Sequence, residues 1–485
     1  MEKNSVSDTG NLMSVLSYTV DKTVGLANAN SVVGEKIVIE DMTIIPILII
    51  FNVLVAGFVA YAIISINKAK SNEKETWLMK FWAKDSTKSI ASSLLSIIFG
   101  LLIGCIILLL FAGHNIGGTD ISFKAAWKAI QLVFLGGFKT GVNANNALVF
   151  GWNGTNIGNT LFKTMPLIMT GLSVGIAYKT GLFNIGAPGQ YLMGTAAALV
   201  IALAIPSSVV PPFIIWIIAF LGAIVFGALW GCIPGAFKAF LNVNEVITSI
   251  MCNWIAANVV TAVFDKETGI FKQFLDPSGT KNLAYVYKSS YNNVSTAKLG
   301  LDKIFVGSQI NAGIIIAIVI AILMYILINK TVLGYELKAC GANRHAAQYA
   351  GIKAKRNIIL SMAIAGGLAG AGAALYYLSG NTEFAWETYQ SLPAIGFNGI
   401  PVALLAVNNP IGIIFSSIFM AYLDVCGMEI KYMTTYNEYI TSIISAIIVY
   451  FSAFALVIKQ LISGKRKKSP KQFSLFGKIK KLFTK

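Results

Sequence analysis

Long apolar stretches recur along the 485 residues of this chain, and they constrain its fold more than any other feature. A helix needs roughly 20 apolar residues to cross the hydrocarbon core of a bilayer. In lipid the backbone must satisfy its own hydrogen bonds, so helices and closed barrels are the structures that span membranes. Seven stretches are long enough for full spans: residues 43–66, 90–111, 213–233, 246–264, 312–328, 358–378 and 440–458. Four others are shorter or interrupted: residues 161–178, 191–205, 392–407 and 411–425.

Composition agrees with a chain that faces lipid. The sequence is 56% hydrophobic and 12% charged, whereas soluble domains carry about 25% charged residues. We therefore predict an all-α polytopic membrane protein with about 11 transmembrane helices. The span at 43–66 is predicted to be an added N-terminal anchor, and the other ten spans to form the working core at residues 90–460, some of them broken or re-entrant.

Enzymatic chemistry is not expected from this chain. Its five cysteines lie in or beside apolar stretches without a CxxC pair, so we interpret them as small buried side chains. The chain has two histidines, which argues against a metal site or another cofactor. It also lacks a Walker A motif, so any ATP hydrolysis is expected on a separate subunit.

The net charge of +17 is concentrated rather than spread evenly. Ten of the 38 basic residues lie between Lys459 and Lys485, a segment without any acidic residue. Attraction of such a tail to anionic lipid accounts for the charge, so no nucleic-acid partner is expected.

Charge in the loops predicts the orientation. Lysine and arginine dominate residues 67–89, residues 330–356 and the C-terminal tail, which the positive-inside rule assigns to the cytoplasm. Residues 1–42 are more acidic and are predicted to be extracellular. An odd number of crossings satisfies all four assignments, so the protein is expected to be a multi-pass plasma-membrane protein with residues 67–89 as a cytoplasmic loop and residues 461–485 as a basic cytoplasmic tail.

The strongest local motif is the segment Gly-Leu-Phe-Asn-Ile-Gly-Ala-Pro-Gly-Gln at residues 181–190. Three glycines and a proline in ten residues break a helix and free backbone polar groups, which must face protein or water at membrane depth. Phe183, Asn184 and Gln190 would then face a polar solute. The alternative is an ordinary turn between two spans.

Other polar residues extend this pattern. Residues 392–401 repeat Phe-Asn beside glycine, at Phe397 and Asn398, between short apolar runs, and such paired interruptions point to a translocation site. Asn244, Glu245 and Asn253 add polarity to one span, although a carboxylate at a helix start is also favourable through capping. Gly366 and Gly370 form a GxxxG pattern that favours close helix packing.

Residues 337–352 are rich in alanine and glycine and predict an amphipathic helix between two spans. Its low bulk suits docking into the groove of a partner, although a solvated connector would have the same pattern.

The motifs at residues 181–194, 244–256, 341–352 and 396–412 resemble, in family order, the permease subunits of bacterial ABC importers for nucleosides and simple sugars. These subunits lie within the larger branched-chain amino acid and ribose permease group. Pro188 departs from the commoner acidic residue, and the residue at 398 is asparagine where aspartate is frequent.

The resemblance implies a set of partners. These are a second permease chain, identical or paralogous, an ATP-binding cassette ATPase, and an extracellular substrate-binding lipoprotein, all working in the lipid bilayer. It identifies residues 337–352 as the coupling helix that enters an ATPase cleft. The ATPase-coupling residues are predicted to be Gly341, Asn343, Ala346, Ala347, Tyr349 and Gly351.

The resemblance also implies a function: a permease subunit that forms the translocation path for a nucleoside or related small solute. An aromatic ring can stack on a base, and an amide can bond its polar edge, which suits Phe183, Asn184, Phe397 and Asn398. The alternative is a secondary transporter driven by an ion gradient, which would need carboxylates inside the membrane. Few are available in this sequence beyond Glu245 and Asp424.

Overall fold

The computed structural model describes residues 85–113, 115–116, 119–120, 122–144, 147–275, 284–285, 294–437 and 439–452. The predicted extracellular segment 1–42, the anchor 43–66, nearly all of the loop 67–89 and the tail 461–485 therefore lie outside the described residues. The chain divides into two compact units. The described residues of the smaller unit lie within Phe138–Asn153. The described residues up to Gly137 and from Gly154 onward belong to the larger unit.

Helices make up most of the described residues and confirm the predicted all-α class. Their bounds are α1 Asp85–Phe111, α2 Phe123–Leu135, α3 Gly154–Lys179, α4 Ala187–Ala204, α5 Pro212–Leu241, α6 Glu245–Val263, α7 Gly313–Lys330, α8 Val332–Ala342, α9 Arg344–Tyr349, α10 Ala354–Tyr377, α11 Ala394–Leu405, α12 Pro410–Met433 and α13 Tyr439–Ser452. Short helical turns occur at Gly136–Phe138, Lys272–Phe274 and Leu301–Ile304.

Strands are few and short in the described ranges. Three antiparallel pairs form: β1 Asn115–Ile116 with β2 Thr119–Asp120, β3 Lys139–Val142 with β4 Leu148–Phe150, and β5 Ala284–Tyr285 with β6 Ala385–Trp386. The described part of the smaller unit contains the β3–β4 hairpin, where the Gly151 amide donates to the Phe138 carbonyl at 2.8 Å.

Seven of the described helices are long and apolar enough to cross a membrane, and three shorter apolar segments accompany them. Three of the four stretches predicted to be short are full-length helices: α3 has 26 residues, α4 has 18 and α12 has 24. The helices extend beyond the predicted stretches through polar residues, among them Thr160 in α3, Gln190 in α4 and Glu429 in α12. The fourth, α11, is short as predicted, with 12 residues.

The interior of the larger unit is formed by α3 and α10. In the 18-residue stretch that qualifies each helix as a span, 89% of the residues are buried in α3 and 78% in α10. The share is 28% in α5 and in α7. Small residues allow this, because glycine and alanine fill most of α10 from Ala365 to Ala374 and let neighbouring helices approach closely.

Helices α5 and α10 contact each other backbone to backbone, as the GxxxG pattern predicted. A Cβ atom added at Gly366 would overlap the carbonyl oxygen of Gly227, and one added at Gly370 would overlap that of Ala223. The reverse also holds, since a Cβ at Gly227 would overlap the carbonyl oxygen of Gly366. No side chain can be inserted at these positions without separating the helices.

We predict that Gly370→Val destabilises the protein strongly, because backbone atoms cannot move aside as a flexible side chain can. Overpacking typically costs about 1–3 kcal/mol and more where nothing can shift. The thermal unfolding midpoint of the detergent-purified protein measures the effect. Ala363→Leu is the matched control, since Ala363 lies in the same helix but is partly exposed. Equal midpoints for the two variants would contradict the prediction.

Candidate functional site

The turn between α3 and α4 forms where the sequence places glycine and proline. Helix α3 ends at Lys179, Gly181 adopts a positive φ of 74°, and α4 begins at Ala187 with Pro188 in its first turn. A proline in the first turn loses no helical hydrogen bond, so Pro188 starts a helix here rather than breaking one. After the turn the chain runs back beside α3, because the Asn184 side chain reaches Ser173, six residues before the end of that helix.

Asn184 and Gln190 hold this turn through a reciprocal pair of amide hydrogen bonds. The Asn184 Nδ2 donates to Gln190 Oε1 at 2.8 Å, and Gln190 Nε2 donates back to Asn184 Oδ1 at 3.1 Å. Asn184 Nδ2 also donates to Ser173 Oγ at 2.9 Å, and its Oδ1 accepts from the Gly186 amide at 3.2 Å. The two donors and two acceptor positions of Asn184 are thus all used.

Asn253 of α6 fixes the same turn from the other side. Its Oδ1 accepts from the Gly189 amide at 2.9 Å, and its Nδ2 donates to the Ile185 carbonyl at 3.0 Å. The Gly189 amide is one of the N–H groups that the start of a helix leaves without an intrahelical partner, and Ile185 lies in the turn just before α4. Asn253, which the sequence marks as a polar residue within a span, therefore supports the backbone of α4.

Burial separates the predicted pathway residues into two groups. Asn184, Gln190 and Asn253 are buried, at 0%, 1% and 2% exposure, and bond one another's segments. Phe183 is half-buried, whereas Phe397 and Asn398 are exposed. The structure therefore brings together three of the predicted side chains as an internal network, and leaves the α11 pair available for contact with a solute.

The second Phe-Asn segment differs from the first because it is helical throughout. Helix α11 runs through Gly396, Asn398 and Pro401 without a break, so its expected interruption is wrong. Gly396 packs directly on Pro188, and Gly399 packs on the backbone of Thr170 in α3. The two motifs predicted to form one site are thus in contact, through small residues that leave Phe397 and Asn398 on the opposite face.

Asn244 and Glu245 have structural partners at the start of α6. The Asn244 side chain accepts from the Val246 amide at 2.8 Å as an N-cap, and Glu245 forms an ion pair with Lys238 of α5 at 2.9 Å. Both interactions stabilise the corner between α5 and α6.

The predicted coupling segment is two helices rather than one. Asn343, in extended conformation, separates α8 from α9 and caps α9 by accepting from the Ala346 amide at 3.0 Å. Gly341 packs against the backbone at Thr180 and Gly181, so this segment touches the α3–α4 turn. The last predicted glycine, Gly351, ends the segment with a φ of 81°.

Only part of the coupling segment is free to meet another protein. Tyr349 is 95% exposed and Ala346 is exposed, whereas Ala347 is 4% exposed and packs with Cys340 and Ala354. The sequence predicts that Ala347 faces a partner, but it faces the chain's own core.

Sequence reasoning missed an ion pair between two membrane-spanning helices. Lys163 of α3 and Asp424 of α12 lie 2.5 Å apart, and toward the helix ends Asn156 donates to Glu429 at 2.9 Å. Opposite charges at Lys163 and Asp424, each within a predicted apolar stretch, were the available signal. Their spacing in the sequence gave no indication that they meet.

An apolar cavity of about 210 Å³ is a poor candidate site for a polar solute. It lies between α4, α5 and α6 and is lined only by apolar side chains: Met193, Ala196, Ala197, Val200, Ile201, Phe226, Val259, Val260, Val263 and Phe271. Among the described residues, no group of three or more His, Cys, Asp or Glu side chains could hold a metal ion.

Comparison with known proteins gives a consistent result. Residues 156–453 match the family described as the permease component of the branched-chain amino acid transport system. The nucleoside ABC transporter permease protein NupB of Lactococcus lactis is 34% identical over 378 residues, which cover 78% of this chain and 94% of the relative. The guanosine ABC transporter permease protein NupP of Bacillus subtilis is 34% identical over 322 residues, or 65% and 87%. A glucose ABC transporter permease of Haloferax volcanii is 29% identical over 298 residues, or 60% and 74%.

We predict that Asn253→Ala destabilises the protein, because it removes the partner of the buried Gly189 amide and of the part-buried Ile185 carbonyl. Each such loss costs about 1–3 kcal/mol. The thermal unfolding midpoint in detergent measures it. Asn258→Ala is the control, since Asn258 is exposed on the same helix and bonds only the Trp254 carbonyl, one turn back. A midpoint for Asn253→Ala no lower than the control's would show that the turn does not depend on this amide.

Proposed function

Because this chain belongs to the permease component family of the branched-chain amino acid transport system, we propose that it is the membrane-spanning subunit of an ATP-driven importer whose solute is a nucleoside. The similarity to NupB supports this choice, since it extends over 78% of the chain. The sugar permease is less similar, at 29% identity over 60% of the chain.

The observation that carries the transport role is the length of α11. Its 12 residues reach about 18 Å, well short of the roughly 30 Å of the hydrocarbon core. A helix this short leaves polar groups and backbone at membrane depth, which lipid does not tolerate but a water-filled path does. Phe397 and Asn398 lie on its exposed face, and we assign them to the path together with the half-buried Phe183.

Asn184, Gln190 and Asn253 serve this path in a different way. Their hydrogen bonds are satisfied within the chain, so they position the start of α4 against which α11 packs. They reach a solute only if the α3–α4 turn rearranges during transport.

The partners follow from the same proposal. The exposed surface of α9 around Ala346 and Tyr349 docks into an ATPase subunit on the cytoplasmic side, the side that the positive-inside rule gives to residues 330–356. A second permease chain completes the path, and an extracellular lipoprotein delivers the nucleoside. The predicted orientation, with the N-terminus outside and the C-terminus in the cytoplasm, belongs to this proposal.

The contact of Gly341 with Thr180 and Gly181 offers a physical link between the two sites. An ATPase that moves α8 and α9 would press directly on the α3–α4 turn. Coupling of this kind requires that the ATPase bind two permease conformations with different free energies.

The secondary-transporter alternative has no specific support. Its two candidate carboxylates, Glu245 and Asp424, each pair with a lysine of a neighbouring helix. Neither is an isolated carboxylate of the kind that binds a coupling cation.

Deletion of the gene in its source organism tests the function. We expect uptake of radiolabelled guanosine to fall at least tenfold, to return with a plasmid copy, and to persist when ionophores collapse ion gradients at normal ATP. Glucose uptake is the control. Unchanged guanosine uptake would refute the proposal, and a selective loss of glucose uptake would indicate a sugar permease.

We predict that Asn398→Ala lowers guanosine uptake in the complemented deletion strain by about tenfold, the loss expected for one or two hydrogen bonds to a solute. The Asn398 side chain is exposed and makes no hydrogen bond within the described part of the chain, so the thermal midpoint should stay unchanged. Asn258→Ala again serves as a control. Normal uptake by Asn398→Ala would remove this residue from the path.

A second prediction concerns docking. Tyr349→Ala should release the ATPase during co-purification without changing the thermal midpoint, because its side chain is 95% exposed. Ala347→Leu should instead lower the midpoint, because it overpacks the cluster with Cys340 and Ala354. Retained ATPase in the Tyr349→Ala preparation would argue against docking at α9.

A further inference from the structure

Lys163 and Asp424 place an ion pair at equal depth in two antiparallel helices. Lys163 lies nine residues from the start of α3, and Asp424 lies nine residues from the end of α12. At 1.5 Å per residue, both are about 13 Å from the same ends of their helices, well inside the hydrocarbon thickness.

Both side chains of the pair are partly exposed. The side chains are 37% and 63% exposed in the isolated chain. Lipid solvates such charges poorly, so charged residues at this depth normally face the bundle interior or a water-filled cavity. Helix α3 is the most buried of the candidate spans, which makes a lipid-facing position for Lys163 unfavourable.

The short α11 explains why Lys163 is uncovered. Residues seven apart lie on nearly the same face of a helix, so Lys163 and Thr170 share one face of α3. Thr170 is covered by Gly399 of α11. Helix α11 begins only at Ala394. It therefore does not cover the part of this face that carries Lys163, two turns before Thr170 in α3.

The chemistry of the pair suits a neutral polyol. A carboxylate is a pure acceptor that can bind two neighbouring hydroxyls, and an ammonium is a pure donor. The two charges cancel, so the pair does not select for an ion as a lone charge would.

We propose that Lys163 and Asp424 line the outer half of the path and bind the sugar of the nucleoside, with Asp424 accepting from the vicinal ribose hydroxyls. The pair is thus a specificity-determining element for ribonucleosides. This rests on the proposed import of nucleosides.

Accessibility is tested first, in the assembled transporter in cells. Asp424→Cys should react with a membrane-impermeant thiol reagent added outside, above the background from the five native cysteines. Guanosine should slow the reaction. The control is Ile322→Cys, since Ile322 is 43% exposed and lies nine residues from the start of α7, a helix whose apolar window is only 28% buried. Labelling of the Asp424→Cys variant as slow as that of the Ile322→Cys variant would overturn the proposal.

Specificity is tested by uptake in the complemented deletion strain. Wild type should prefer guanosine to 2′-deoxyguanosine, and Asp424→Asn should lower guanosine uptake about tenfold, which corresponds to the loss of a charge-assisted hydrogen bond, and reduce that preference several-fold. Lys163→Met should also lower guanosine uptake. Equal uptake of both nucleosides by wild type, or an unchanged preference in Asp424→Asn at a normal thermal midpoint, would overturn the sugar contact.

The two proposals can fail separately. If deletion of the gene leaves guanosine uptake unchanged, the proposed function is refuted. The labelling rates of the two cysteine variants still decide whether the pair faces water. Guanosine uptake that depends on the chain, with Asp424→Asn equal to wild type, defeats only the present inference.

Discussion

Wherever a helix ends inside a membrane protein, its terminal backbone N–H and C=O groups need hydrogen-bond partners. The arrangement of the larger unit depends on how these groups are satisfied. At the α3–α4 turn the partners are side-chain amides: Asn184 and Gln190 bond each other, and Asn253 bonds the Gly189 amide and the Ile185 carbonyl. These bonds let α4 begin well inside the bundle. Because Pro188 is held at the start of α4, Gly396 near the start of the short helix α11 packs directly against it.

Much of this organisation was accessible from the sequence. Hydropathy located the long spans, and glycine with proline located the α3–α4 turn. The two Phe-Asn motifs were predicted to belong to one site, and their segments do meet at Gly396 and Pro188. The α5–α10 contact follows from the spacing of Gly366 and Gly370, since small residues at that interval allow close approach wherever a neighbouring helix is present.

The remaining features depend on contacts that local patterns do not encode. The predicted apolar stretch 411–425 stops short of Glu429, yet α12 continues to Met433, and Glu429 accepts a hydrogen bond from Asn156 of α3. The coupling segment is divided because Asn343 caps a new helix. Local sequence suggests that Asn184 and Asn253 are available to a solute, but their partners come from separate helices, and only the assembled fold shows that their hydrogen-bonding capacity is used internally.

The glycine contacts between α5 and α10 also limit which parts of the molecule can move. At Gly227, Gly366 and Gly370 carbonyl oxygens pack on Cα atoms without a side chain between them that could change rotamer, and close Cα–H···O contacts favour a single register. The two helices are therefore expected to move together. A change between outward-open and inward-open forms would then leave this helix pair intact and move other helices against it.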